Sequence, residues 1–217
     1  MLVGERMTKP AITISPDTSM PDALNLMQQE HIRRLPVVNK HGELMGIITE
    51  ADLLKASPSD ATSLSVYEVT YLLSKLTVER IMTRKVITVT EDMPLEEAAR
   101  IMADNEISGL PVMRGKDVVG MITETTLFRI FLELLGARRA GIRVTVSVPD
   151  KAGELANLTK AVYDLGGNII ALGTFSGETS TEGLLTLKVE GVEVEPLKKA
   201  IQPFVKKIID IRVTSGV

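Results

Sequence analysis

There is no cysteine and no tryptophan in this 217-residue chain, and histidine occurs only as His31 and His41. The missing thiols exclude disulfides, thiolate zinc sites and cysteine nucleophiles. Two histidines are too few for a histidine-built metal cage, and they remove most routes to a nucleophile–base pair. Aromatic residues are 3% of the chain against 44% hydrophobic, so its core must be aliphatic. The formal net charge is −3, which leaves no basic excess for nucleic acid or an anionic membrane. No apolar run approaches the roughly 20 residues that span a bilayer. The opening MLVGERMTKP lacks the apolar stretch of a secretion signal, so a soluble cytoplasmic protein is expected. A P-loop, a G-x-S-x-G elbow and an H-E-x-x-H helix are missing as well.

What the chain does contain is a phrase written twice. Residues 46–52 read GIITEAD and residues 120–126 read GMITETT. The agreement extends upstream: residues 7–38 and 82–113, at an offset of 75, are identical at 11 of 32 positions. Met7-Thr8 matches Met82-Thr83, Ile12-Thr13 matches Ile87-Thr88, and Leu35-Pro36-Val37 matches Leu110-Pro111-Val112. A shorter loop then lowers the offset to 74. Self-similarity of this kind marks two copies of one supersecondary unit.

Each copy has the same local grammar. AITIS and VITVT alternate as short strands do. The next stretches put Ala23, Leu24, Met27 and Ile32, or Ala98, Ile101 and Met102, on one helical face, with proline and acids in the first turn. LPVV or LPVM, a turn, a second apolar strand and a helix from Glu50 or Glu124 complete a β-α-β-β-α unit. Between the copies, a Ser-rich loop precedes a helix spaced by Val66, Val69, Leu72, Leu73 and Leu76. Past Leu135 the pattern changes. GARRAG reads as a linker. The remainder gives a strand (IRVTVSV), a helix spaced by Leu155, Leu158, Ala161, Val162 and Leu165, two strands (NIIALGTFS and GLLTLKVEG), a helix and a strand. That βαββαβ order is ferredoxin-like. An α+β protein is expected, with a first copy at 1–56, a connecting loop and helix at 57–80, a second copy at 81–135, a linker at 136–141 and a last domain at 142–217.

Through MT-x₃-ITI, LPVV and G-I-I-T-x-x-D, the two copies resemble CBS domains, the regulatory module of the cystathionine β-synthase type. VPDKAGELANLTKAV followed by GGNI resembles an ACT domain. Two CBS repeats and one ACT domain in succession resemble the AcuB-like acetoin-utilisation proteins. The resemblance implies a CBS pair with pseudo-two-fold symmetry followed by a ferredoxin-like ACT domain. It implies a ligand-sensing regulatory protein, not an enzyme, with a role in acetoin or acetate metabolism. The ligand would be an adenine nucleotide (AMP, ADP, ATP or a related adenosyl compound), acting as a regulator and not as a cofactor. No metal is implied. The chain would work as a homodimer on a regulated protein that the sequence does not identify.

In CBS pairs the adenosine ligands occupy two clefts between the copies, and the residue types suit this. One carboxylate can accept hydrogen bonds from both ribose hydroxyls, which makes Asp52 the ribose candidate. Thr49 offers a phosphate a hydroxyl at a helix start. Arg33 and Arg34, just before LPVV, suit phosphates through charge-assisted pairing. Lys85, Val86, Ile87 and Thr88 of the opposite copy would wall the adenine. The alternative is that Thr49-x-x-Asp52 is a capping box and that the arginines complement a helix C-terminus. The two roles are compatible. In the second cleft the corresponding residues are Thr123, Thr126, Ile12 and Thr13. Thr126 cannot match a carboxylate, and Ser108-Gly109 replace the arginines, so weak or no binding is expected there.

The ACT resemblance implies a small ligand such as an amino acid near the turn Asp150-Lys151-Ala152-Gly153, with Asn168 and Ile169 opening the next strand. Gly153 would let the backbone come close, and the helix start would offer N–H groups to a carboxylate. Ala152 stands where the family often has proline. Alternatively, Asp150 and Gly153 only shape a turn, and Asn168 only ends a helix. An exposed sheet edge favours pairing between chains. Two other functions stay open: a structural interaction subunit with no ligand, and a Mg-dependent nucleotide-processing enzyme, for which no clustered carboxylate pair is evident.

Overall fold

The structure, a computed structural model, describes residues 1–57, 65–177, 179 and 181–216. Most of the Ser-rich loop expected between the copies lies outside the described residues. The chain divides into two compact units, Met1–Leu127 and Phe128–Val217. Its elements in order are α1 (Val3–Arg6), α2 (Met20–Gln29), β1 (Arg34–Val38), β2 (Leu44–Thr49), α3 (Glu50–Ala56), α4 (Val66–Lys75), α5 (Val78–Ile81), β3 (Val89–Thr90), α6 (Leu95–Asp104), β4 (Gly109–Arg114), β5 (Asp117–Thr123) and α7 (Glu124–Leu134). They continue with β6 (Gly141–Pro149), α8 (Glu154–Asp164), β7 (Asn168–Ser176), β8 (Glu182–Glu190), α9 (Val194–Ile201) and β9 (Lys207–Thr214).

Both copies in the first unit are built alike. Ser19 caps α2, its Oγ accepting from the Asp22 N–H at 3.3 Å, with Pro21 in the first turn where its missing N–H costs nothing. The helix ends at Gln29; His31, two residues on, has a positive φ of 52°, and Ile32 N–H then returns to the Met27 carbonyl at 2.9 Å. Glu106 repeats this at φ 53°, with Ile107 N–H on the Met102 carbonyl at 3.0 Å. A left-handed residue with this back-bond satisfies orphan carbonyls and turns the chain into β1 or β4. The hairpins then pair in one register: Leu35 opposite Ile48, and Leu110 opposite Ile122.

The expected strands AITIS and VITVT are shorter than their alternation suggests. The first is reduced to one parallel bridge, Ile14 to Val37, and the second to β3, Val89–Thr90 beside Val112–Met113. The cause is that each segment begins on the other copy. Thr8 exchanges two hydrogen bonds with Met121, at 2.9 and 3.0 Å, and Thr83 exchanges two with Ile47, both 2.9 Å. Only the last residues of each segment are left to run along their own sheet.

This crossing interleaves the cores. Ile14, Ala23, Met27, Leu35, Val37, Ile48 and Leu53 of the first copy pack with Val78 and Met82, which open the second. Val3 and Val78 are fully buried, each worth about 2 kcal/mol of apolar burial. The glycines of the repeated phrase admit the crossing. A Cβ on Gly46 would sit 2.6 Å from Met82 Sδ and 2.9 Å from the Thr83 carbonyl oxygen. On Gly120 it would sit 2.5 Å from Met7 Sδ and 2.9 Å from the Thr8 oxygen. Between the copies, α4 is helical as its spacing predicts. Leu73 and Leu76 pack on the first core, but Leu72 points to solvent, 53% exposed.

The second unit holds a four-stranded antiparallel sheet in the order β7-β8-β6-β9, with α8 and α9 packed on one face. Inward-facing Val144, Val146, Leu185, Leu187 and Val189 meet Leu158, Val162, Leu197 and Ile201 from the helices. Alternation along the strands and the helical spacing produce that core. Leu155 and Leu165 lie off it, 41% and 37% exposed. The stretch expected as a linker is a turn around Gly136 (φ 58°), whose carbonyl accepts a 2.8 Å hydrogen bond from Lys188, a lysine only 4% exposed.

Candidate functional site

Thr49 and Asp52 form the reciprocal cap that their spacing allows. Thr49 Oγ1 accepts from Asp52 N–H at 3.2 Å, while Asp52 Oδ2 accepts from Thr49 N–H at 3.0 Å and from its hydroxyl at 2.6 Å. Both bonds to the carboxylate fall on one oxygen, Oδ2. Among the described residues, Asp52 Oδ1 accepts no hydrogen bond, and the side chain is half-buried. The second copy has the same cap without a charge. Thr126 N–H donates to Thr123 Oγ1 at 3.3 Å, and the two hydroxyls are 3.1 Å apart.

The two arginines diverge. Arg33 is exposed. Arg34 is half-buried and reaches the second copy, donating to the Ser108 carbonyl at 2.5 Å and to the Ser108 hydroxyl. Its guanidinium fills the space that a side chain at Gly109 would need. The Ser108 carbonyl also receives Glu124 N–H at 3.2 Å, just as the Arg33 carbonyl receives Glu50 N–H at 2.9 Å. Burial and the adjacent Arg33 charge lower the Arg34 pKa, and the Glu124 carboxylate opposes that shift.

The crossing segments pass between the copies. The chain from Thr83, beside β2, to Val89, beside β4, carries Lys85 and Ile87 exposed, with Val86 and Thr88 half-buried. The chain from Thr8 to Ile14 carries Ile12 and Thr13, both half-buried.

In the second unit, Gly153 precedes α8 with φ 98°, a conformation in which a side chain is strained. Asp150 N–H bonds the Thr181 carbonyl at 2.9 Å, and Lys151 pairs with the buried Glu154 at 3.2 Å. A cavity of about 390 Å³ opens beside this turn, lined by Asp150, Lys151, Glu154, Thr174, Phe175 and Gly183 among others. Asn168 does not face it. Pro149 is opposite Glu182, at the start of β8, whereas Asn168 is opposite Glu190, at its end. Eight residues of strand, ~27 Å, separate the two positions. There Asn168 Nδ2 donates to Glu190 Oε1 at 2.7 Å; that bond, then Arg139, holds the Glu190 carboxyl below its usual range.

Residues 3–59 and 78–133, the stretches that hold the crossed copies, match the CBS domain family. The chain is a CBS-domain protein. Residues 140–212 match the TTHA0829-like ACT domain, in agreement with the β7-β8-β6-β9 sheet. This CBS-domain protein is 37% identical over 131 residues to an L-aspartate semialdehyde sulfurtransferase of Methanocaldococcus jannaschii, covering 60% of the chain but only 23% of that enzyme. It is 34% identical over 136 residues to a CBS domain-containing protein of Dictyostelium discoideum, covering 62% of the chain and 94% of that relative. Among solved structures, the CBS domain pair of protein MJ0100, in complex with 5′-methylthioadenosine and S-adenosyl-L-methionine, is 36% identical. It has a TM-score of 0.51 and covers 60% of this chain and 95% of that one. CBSX2 in complex with AMP is 30% identical with a TM-score of 0.51, covering 61% and 97%. A putative acetoin utilization protein from Vibrio cholerae is 28% identical with a TM-score of 0.52, covering 62% and 92%.

In this CBS-domain protein, then, Thr49 and Asp52 come together, the crossing segments lie between the copies, and Arg34 turns to Ser108. In the sequence Ser108 stands only as a replacement for an arginine, because nothing local announces a contact 74 residues away. Phe175 and Glu154, which the sequence does not single out, lie beside the ACT turn. The βαββαβ order contained the clue, since an antiparallel β7–β8 hairpin must bring its far end, not Asn168, level with the end of β6. Among the described residues no cluster of three or more His, Cys, Asp or Glu could hold a metal, and no helix is long and apolar enough to cross a membrane.

Proposed function

We propose that this protein is a ligand-sensing regulator whose crossed CBS copies bind an adenine nucleotide or related adenosyl compound. Asp52 serves as the ribose acceptor, and Thr49, Arg33 and Arg34 serve the phosphate end. Lys85, Val86, Ile87 and Thr88 line the same cleft from the opposite copy. The observation that carries this reading is the one-sided use of Asp52. Its Oδ2 closes the cap, and its Oδ1 is left to accept from a ligand hydroxyl. The solved complexes of MJ0100 and CBSX2 with adenosyl ligands, at 36% and 30% identity, support the ligand class. The cleft of Thr123, Thr126, Ile12 and Thr13 binds the same class more weakly, having a hydroxyl in place of the carboxylate.

The protein acts by binding and not by catalysis. The pocket at Asp150, beside the turn that carries Ala152 and Gly153, suits a small amino-acid-like ligand, with Lys151 as a cation in its lining. Exposed Phe128 and Phe131, packed edge to face on α7 with ring centres 6.5 Å apart, favour burial against a second copy in a homodimer. A role in acetoin or acetate metabolism is supported by the likeness to the Vibrio cholerae protein. A second reading, a structural subunit with no ligand, is favoured by the cap itself, because it gives Thr49 and Asp52 a complete local purpose. A thermal-shift titration separates the two. AMP, ADP, ATP, S-adenosylmethionine or methylthioadenosine should raise the melting temperature of the wild type and raise it far less in Asp52→Ala. No shift with any adenosine compound sinks the sensor reading in favour of the structural one.

A further inference from the structure

Arg34 and Gly109 are equivalent positions in the two copies, and yet Arg34 touches Ser108 and fills the space over Gly109. A side chain that reaches its own counterpart must lie on the axis relating the copies. A second contact of this type, the bridge between the equivalent Glu43 and Asp117, lies on the same axis. Arg34 is thus central to both clefts. Its backbone pairs with Thr49 at the first, and its guanidinium meets the Ser108 carbonyl that receives Glu124 N–H at the second.

Its hydrogen-bond partners are both neutral, and the Glu124 carboxylate attracts it without forming an ion pair. Among the described residues no carboxylate lies within ion-pair distance of Arg34, although the side chain is drawn well out of water. A half-buried cation satisfied only by a carbonyl and a hydroxyl gains most from an anion, through a charge-assisted bond that the resting partners cannot provide. Of the two equivalent positions only one carries a cation. Its counterpart is glycine, and any side chain at Gly109 would collide with the guanidinium.

We propose that Arg34 is a single phosphate-binding cation shared across the pseudo-two-fold axis, for which phosphate-bearing adenosine ligands in the two clefts compete. Occupation by one nucleoside phosphate draws the guanidinium to that side and leaves the opposite cleft without it. Adenosyl ligands that carry no phosphate escape the competition. This sharing presupposes the adenosine-binding function proposed above and sets its regulation: nucleotides exclude each other between the clefts, and uncharged adenosyl compounds do not.

Calorimetric titration of the full chain with AMP and with 5′-methylthioadenosine, which share adenosine and differ at the 5′ substituent, tests it. In the wild type, the gap between first and second dissociation constants should be at least about tenfold wider for AMP than for methylthioadenosine. Comparing the two gaps cancels the Asp52/Thr126 difference, which both ligands feel. In Arg34→Met the first AMP affinity should fall about ten- to a hundredfold and the AMP gap should narrow to that of methylthioadenosine, whose own binding stays within about twofold and reports a folded cleft. The exchange variant Arg34→Gly/Gly109→Arg returns the cation to the axis from the other copy. It should restore AMP affinity to within a few-fold and keep the wide gap. Equal gaps in the wild type, or AMP binding indifferent to Arg34→Met, overturn the sharing while adenosine binding stands. Failure of both ligands to bind the wild type removes the adenosine reading and the sharing together.

Discussion

The two CBS copies agree where backbones meet and differ at the side chains of Asp52 and Arg34. Gly46 and Gly120 admit the same methionine and the same carbonyl, His31 and Glu106 take the same left-handed turn, and Thr49 and Thr123 cap the same helix. Asp52 becomes Thr126, and Arg34 becomes Gly109. Duplication gives an internal control. Whatever the fold requires must appear in both copies, so the positions at which they part are free of that requirement. The capping hydroxyl is needed twice, and the carboxylate is not.

The strongest test of this equivalence lies at the glycines. Gly46→Val and Gly120→Val each push a side chain into a fixed carbonyl as well as a methionine, so each should destabilise the protein by about 2–3 kcal/mol in urea unfolding. A difference of more than about 1 kcal/mol between them would break the symmetry of the crossing. The cleft comparison is next. Asp52→Ala should cost roughly ten- to a hundredfold in AMP affinity by calorimetry, and Thr126→Asp should strengthen the second site by a similar factor. Unchanged affinities in both variants would falsify the assignment of the ribose carboxylate.

Smaller effects belong to the caps. Thr49→Ala and Thr123→Ala should each lose about 1 kcal/mol of stability, the first somewhat more because the Thr49 hydroxyl bonds a carboxylate whereas the Thr123 hydroxyl meets another hydroxyl. The smallest effect concerns an ion pair present in one copy only. Glu91 accepts from Arg114 at 2.6 and 2.9 Å, whereas the first copy has Pro16 and Asn39 in those places. The Arg114 bonds hold the Glu91 carboxyl below its ordinary value of 4.5 against the opposing effect of burial. Since the folded value is the lower one, the stabilisation is present above pH 4.5 and fades as the pH falls below it. Melting curves of Glu91→Gln and the wild type should therefore differ slightly at neutral pH and converge in acid.

Much of this architecture was legible in the sequence because it is local or periodic. The doubled phrase announced two units, helical spacing selected the faces of α2, α6 and α8, and element order specified the ferredoxin-like sheet. The Thr49–Asp52 spacing allowed both a cap and a ligand contact, and the cap is the part that needs no partner. What alternation could not reveal was that AITIS and VITVT start on the opposite copy, since the pairing of Thr8 with Met121 depends on residues more than a hundred positions away. The same distance hid the turn of Arg34 toward Ser108. Asn168 was grouped with the Asp150 turn by resemblance alone, and strand register within one chain sets them at opposite ends of β8.

The crossed Met-Thr segments make each copy depend on the other. A lone copy would offer its Met-Thr arm to nothing and leave its own glycine slot vacant, so it could not close as a self-sufficient module. A single copy would need a second one to fill its slot and receive its arm. Carrying both in one polypeptide lets one copy keep an aspartate where the other has threonine.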